Sequence, residues 1–226
     1  DMITKAKFGP DNSLYFLSSK DAPYGKILSL PPGKTKLSHA TTIVNESEVV
    51  IQGFLPTVTK IYVRDLVGGP SQIRILDIAD GSQKLIPLMP VSSVWDMTSL
   101  GGDKILFKNS NYIEPPVCYT YEPLQEEPLR TALYVTSPAD FSGVEVVREF
   151  AISKDDTRVP MNIIHRNGTK LNGNNPTILY GYGGYGISQT PRYDRKLSLW
   201  LDQGGVYVIA NIRGGGEFGE EWHKAR

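Results

Sequence analysis

Through its first 140 residues the chain rarely runs more than a few residues without a turn signal, and that punctuation most limits what it can fold into. Short runs such as "NSLYFLSS", "KILSL", "EVVIQGF", "KIYVRDL", "QIRILDI", "KLIPL", "SVWDMTS", "DKILFKN" and "VCYTY" are separated by breaks. Those breaks are Asp11-Asn12, Pro32-Gly33, Gly68-Gly69-Pro70, Ala79-Asp80-Gly81 and Gly101-Gly102-Asp103. Gly and Asx clusters between short β-rich runs predict hairpins. No stretch keeps apolar residues at i, i+3, i+4 and i+7 for three turns, so helices are not expected here. The segment "IYVRDLVGGPSQIRILDIADGSQKLIPL" predicts three strands in meander order. With its neighbours it follows the roughly 40-residue pace of four-stranded propeller blades. A sandwich of the same strands is the competing architecture.

The texture changes near residue 145. "VEVVREFAIS" and "RVPMNIIHR", joined through Lys154-Asp155-Asp156-Thr157, predict a hairpin whose charged tip lies in solvent. "TILYGY" is continuously apolar, the pattern of a strand covered on both faces. "RKLSLWLDQG" places Leu197, Trp200 and Leu201 at helical spacing, with Gly204 as the stop, and "GVYVIANIR" is a second apolar strand. Strand, helix and strand make a βαβ unit at the edge of an α/β sheet.

Composition narrows the chemistry. Twenty-four Lys and Arg balance twenty-four Asp and Glu, leaving no long-range field for nucleic acid or an anionic membrane. No apolar run approaches the roughly 20 residues that span a bilayer. Cys118 is the single cysteine, so no intrachain disulfide framework forms, and its strand setting predicts a small buried apolar group. His39, His165 and His223 do not pair at metal-ligand spacing, and no metal or cofactor is expected. Trp95 and Trp200 are expected in the core.

Two G-x-G-x-x-G matches stand out: Gly181, Gly183 and Gly186, and then Gly214, Gly216 and Gly219. Neither has the context of a dinucleotide site. Behind the first comes "ISQTPRYD", where Pro191 delays any helix, and Tyr182 and Tyr185 crowd the glycines. In the second, Glu217, Glu220 and Glu221 would repel a pyrophosphate. The P-loop lysine is missing from both. The glycines therefore serve backbone geometry, as in the loop that supplies part of an oxyanion hole in α/β-hydrolases. In "YGYGG" a phenol could replace a backbone N–H as donor, although core packing is the simpler use of a Tyr-rich turn. Arg213 is expected to pair with Glu217 or Glu220, and His223 to hydrogen-bond structurally.

"LYGYGGYGISQTP" followed by "GGVYVIANIRGGGEFGEEWHKA" resembles the prolyl oligopeptidase family of serine peptidases in residue identity and in separation. "VPMNIIHRNGTKLNGNNPTILYGYGG" is similar to the family's entry into its hydrolase domain, and "FKNSNYIEPPVCYTY" to the end of its propeller. The resemblance implies a partial β-propeller over residues 1–140, then residues 141–226 as the first part of an α/β-hydrolase domain. It implies hydrolysis of short peptides on the carboxyl side of proline by a Ser-Asp-His triad. It makes Tyr182 the oxyanion-hole hydroxyl and Tyr185 a wall of the proline pocket, where prolyl-specific members usually carry Phe. No G-x-S-x-G elbow occurs in the sequence, so the triad is expected outside this chain. The chain reads as an internal piece that needs the remainder of its polypeptide to complete the fold. Competing readings are a relative cleaving after Lys or Arg, with Glu217, Glu220 or Glu221 supplying negative potential, and a non-catalytic propeller module.

Overall fold

A computed structural model describes residues 2–225. Three four-stranded antiparallel sheets follow one another, each a meander in chain order. The first comprises β1 (Ile3–Phe8), β2 (Leu14–Ser18), β3 (Lys26–Leu30) and β4 (Thr41–Val44), with a single 3-10 turn at Leu37–His39. The second holds β5 (Val50–Pro56), β6 (Lys60–Leu66), β7 (Ser71–Asp77) and β8 (Gln83–Ile86). The third holds β9 (Ser93–Ser99), β10 (Ile105–Ser110), β11 (Val117–Tyr121) and β12 (Leu129–Tyr134).

Alternation along each strand explains the stacking. In β6 the successive residues Ile61, Tyr62 and Val63 are all buried, yet they enter different cores. Ile61 and Val63 join Tyr15, Leu17, Ile27 and Val44 of the first sheet. Tyr62 joins Val94, Ile105, Phe107 and Tyr121 of the third. Neighbouring side chains on a strand point to opposite faces, so the middle sheet is apolar on both. A two-layer sandwich would leave one of those faces wet. The first strands β1, β5 and β9 adjoin, which is how blades gather around a propeller axis. This is a partial β-propeller.

The fourth sheet combines β13 (Val144–Ile152), β14 (Arg158–Arg166), β15 (Thr177–Gly181) and β16 (Val206–Ala210) in the order β13-β14-β16-β15. β15 and β16 are parallel, and the connection between them carries α1 (Leu197–Leu201), which packs on β16. Leu197, Leu201, Ile209, Ile164 and Tyr112 form its core. The expected two-sided cover of "TILYGY" is not found within this chain: β15 is the outermost strand and Leu179 is 67% exposed. Only β16 flanks it, whereas β16, between two strands, buries Val206, Val208 and Ile209. Cys118 and Trp95 are half-buried rather than enclosed; the Trp95 indole donates to Ser110 Oγ at 3.2 Å.

The blades and the fourth sheet are tied by polar contacts. Arg148 of β13 donates to the carbonyls of Val67 and Gly68 at 3.2 and 2.8 Å, and to Asn162 Oδ1 at 3.1 Å. Asn162 is fully buried and donates to Tyr112 Oη at 3.0 Å, which joins β14 to the loop after β10.

Inside the middle blade, Asp65 is fully buried and meets Arg74 Nε and Nη2 at 2.9 and 3.0 Å, with Gln72 Nε2 at 3.0 Å. Removing one partner of such a pair strands the other charge away from water. Asp65→Ala is expected to lower stability by about 3 kcal/mol in denaturant unfolding of the complete protein. A loss below about 1 kcal/mol would show that Arg74 finds water instead.

Candidate active site

β15 runs out at Gly181, and Tyr182 begins the turn that follows. β16 ends at Ala210, on the same side of the sheet, because the two strands are parallel and Gly181 is in register with Ala210. Both glycine-rich loops therefore leave the sheet side by side. They touch backbone to backbone: a β carbon at Gly183 would overlap the carbonyl oxygen of Arg213, and one at Gly214 would overlap that of Gly183. Gly186 N donates to Gly214 O at 3.0 Å across the same seam. These glycines are required for close approach.

The helices behind the two fingerprints differ from the dinucleotide pattern. The first helix behind Gly186 is α1, which starts only at Leu197. A helix the sequence pattern did not reveal, α2 (Gly219–Lys224), does start on the third glycine of the second match. Its first turn carries Glu220 and Glu221, which already complement the helix dipole.

Within the first turn Tyr182 is half-buried, and its ring folds over Gly184, where a β carbon would meet Tyr182 Oη at 3.1 Å. Among the described residues that hydroxyl has no hydrogen-bond partner. Tyr185 takes a left-handed conformation with φ of 57° and is 87% exposed, so its own hydroxyl reaches solvent. The turn thus presents two phenols while its backbone is gripped from behind.

The grip centres on Glu217, which lies fully buried. Its Oε1 accepts from Gln189 N at 2.7 Å and from Asn211 Nδ2 at 3.1 Å. Asn211 Nδ2 also donates to Gln189 O at 2.6 Å. Burial first, against the hydrogen bonds that oppose it, holds the Glu217 carboxyl above the ordinary range. Its Oε2 is buried without a partner among the described residues.

Two further expectations are corrected. Arg213 pairs with neither Glu217 nor Glu220; it reaches the hairpin tip, forming an ion pair with Asp155 and donating to Ser153 Oγ at 3.1 Å. That tip is therefore anchored rather than simply solvated, and the Arg213 contact is the main reason the Asp155 carboxyl sits well below the usual range. Glu220 pairs instead with Lys224 at 3.1 Å along α2. His223 Nδ1 donates to Gly214 O at 2.7 Å, and Trp222 Nε1 to Ile212 O at 3.1 Å, so α2 holds the second loop through its carbonyls. Among the described residues no group of three metal-ligating side chains comes together.

Comparison with known proteins decides the family. Residues 5–132 match the model of the prolyl oligopeptidase N-terminal β-propeller domain, and residues 191–226 match that of the prolyl oligopeptidase family. The chain belongs to the prolyl oligopeptidase family. It is 30% identical to a prolyl endopeptidase of Elizabethkingia meningoseptica over 226 residues, 95% of this chain and 30% of that protein. A solved prolyl endopeptidase structure superposes with a TM-score of 0.86 at 28% identity, covering 98% of this chain and 33% of that one. Oligopeptidase B from Leishmania major shares the fold, with a TM-score of 0.81 at 22% identity over 97% of this chain and 33% of its own. The chain thus spans about a third of the length of the family members it matches.

A carboxyl whose pKa is raised on folding ionises more readily in the unfolded chain. Its contribution is complete below the ordinary glutamate value and is lost as pH rises through the raised one. Glu217→Gln keeps the acceptor and removes the ionisation. Denaturant unfolding across that window should show wild-type stability falling with pH relative to Glu217→Gln; parallel curves would mean that Glu217 is not held protonated.

Proposed function

We propose that this chain is the segment of a serine peptidase that stabilises the oxyanion and shapes the pocket for proline. Residues 1–140 are its propeller blades and residues 141–226 open its α/β-hydrolase domain. The substrate is a short proline-containing peptide, cut on the carboxyl side of proline, and the Ser-Asp-His triad is carried by residues outside this sequence.

One observation carries the reading: the half-buried Tyr182 has a hydroxyl without a partner among the described residues, on a turn whose backbone is fixed by the neighbouring glycine loop. When a serine Oγ adds to the acyl carbon, the catalytic histidine takes the serine proton and the carbonyl oxygen gains negative charge. A phenol already aimed at that oxygen needs no reorganisation to donate to it. The donor must not be tied up elsewhere in the ground state, and among the described residues Tyr182 has no partner. Tyr185, three residues on and exposed, stands as an aromatic wall for a proline ring.

The alternative of cleavage after Lys or Arg leaned on carboxylates of the second loop. Glu217 is buried and engaged, and Glu220 is paired on α2, which weakens that reading.

In the complete protein, Tyr182→Phe removes the hydroxyl and keeps the ring. It is expected to lower kcat on a chromogenic proline peptide by about 10²- to 10³-fold with KM nearly unchanged. A wild-type kcat in that variant would remove Tyr182 from the chemistry.

A further inference from the structure

Three cations, Lys5, Lys7 and Arg64, stand together where the first strands of the first two blades meet. Lys5 and Lys7 alternate on β1, so their side chains leave the same face. β5 pairs with β6 irregularly: the register slips between Ile51 and Gly53, leaving Gln52 as an extra residue. The freed Gln52 carbonyl accepts from Lys5 Nζ at 2.7 Å. Gly53 lies opposite Arg64 in the ladder. A β carbon at Gly53 would sit 3.6 Å from Lys5 Nζ and 3.8 Å from Arg64 Nη2. The floor between the two charges is thus bare backbone, the setting in which a strand glycine marks close approach.

These residues line a cavity of about 360 Å³ whose opposite wall is Trp95, Asp96 and Met97. Arg64 Nη1 donates to the carbonyls of Val94 and Trp95 at 3.0 and 3.2 Å, while its buried Nε has no partner among the described residues. The charges are not neutralised. Burial, then Arg64, holds both lysines below their ordinary range, and burial does the same to Arg64. Asp96 offsets the Arg64 effect only in part, and it already faces Lys108 at 3.6 Å. Arg64 also borders a second cavity of about 290 Å³ shared with Gly186, Ser188 and Thr190, the loop that follows Tyr185. Arg64 thus places the cation cluster beside the loop that follows the candidate oxyanion turn.

We propose that Lys5, Lys7 and Arg64 form an anion subsite that binds a carboxylate of the peptide substrate. An incoming carboxylate relieves the repulsion among the three cations and gives the spare Lys5 donors an acceptor. This inference rests on the peptidase reading above and adds a preference for acidic peptides.

The test uses the complete protein and three matched proline peptide series: a Glu peptide with an amidated C-terminus, its Gln counterpart with a free C-terminal carboxylate, and the Gln amide. Within the two carboxylate series the charged group is stepped along the chain away from proline, each step matched by a Gln amide. At low ionic strength at least one carboxylate peptide should be favoured over the neutral one by about five- to tenfold in kcat/KM. The advantage should shrink with added salt and fall below about twofold in Lys5→Gln/Lys7→Gln. Whether the Glu or the free-acid series carries the advantage tells a side chain from a chain terminus. A poorly folded variant would lower all three series and leave their ratio intact, so an unchanged ratio in the double variant overturns the proposal, as does equal handling of acidic and neutral peptides by wild type. If no proline peptide is cleaved at all, the peptidase reading fails by itself. Fluorescence anisotropy of labelled Glu and Gln peptides then reports on the subsite alone: tighter Glu binding lost in the double variant supports it, and equal binding overturns it.

Discussion

Two backbones pressed together without side chains between them hold the candidate active site in place. The turn after β15 and the turn after β16 meet at Gly183 and Gly214, joined by the hydrogen bond from Gly186 N to Gly214 O. A hydrogen bond of this kind contributes only about 1 kcal/mol net. What makes the seam decisive is steric: any side chain at either glycine would have to displace backbone rather than a flexible tip. Glu217 then closes the seam from beneath, binding Gln189 N in the first turn and Asn211 in the second. A buried carboxyl oxygen accepting a backbone N–H ties the loop that carries Tyr182 to the second turn.

The seam is also connected to the propeller. Asn211 Oδ1 accepts from Asn162 Nδ2 at 3.4 Å, Asn162 Oδ1 accepts from Arg148, and Arg148 reaches the Gly68 carbonyl at the edge of the middle blade. Each of these side chains has a polar partner, as burial demands. A movement of the middle blade relative to the fourth sheet would therefore strain Arg148 before it strained the turn that carries Tyr182. The network lies between the two loops and the blades and links them through contiguous contacts.

Most strands were legible in the sequence, and three were missed. β6, β9 and β11 coincide with apolar alternating runs because both of their faces, or one whole face, are packed. β1, β4 and β12 went unread. β1 turns Lys5 and Lys7 toward the axis, β4 is four residues long, and β12 is mostly exposed, so hydrophobic periodicity had nothing to register. α2 has six residues, too few for a helical period to show. The two phenols were found by motif. Their supports were not, because Arg213 and Asp155 are 58 residues apart and only the fold brings them together. Glu217 was expected to pair with Arg213, because nothing local in "GGGEFG" reveals that a backbone N–H and an amide meet its carboxyl.

Neutral composition hid the cation cluster in a different way. Equal numbers of acidic and basic residues rule out a field acting at long range, since beyond a Debye length of about 8 Å exposed charges of both signs are screened. They do not rule out local imbalance. Arg64 and Asp65 are adjacent in sequence and sum to zero, yet on a strand they face opposite sides of the sheet. Asp65 spends its charge on Arg74, deep in the blade. Arg64 is left on the axial side with Lys5 and Lys7. Strand geometry separates charges that composition cancels, and Arg64 borders the cavity lined by Gly186, Ser188 and Thr190.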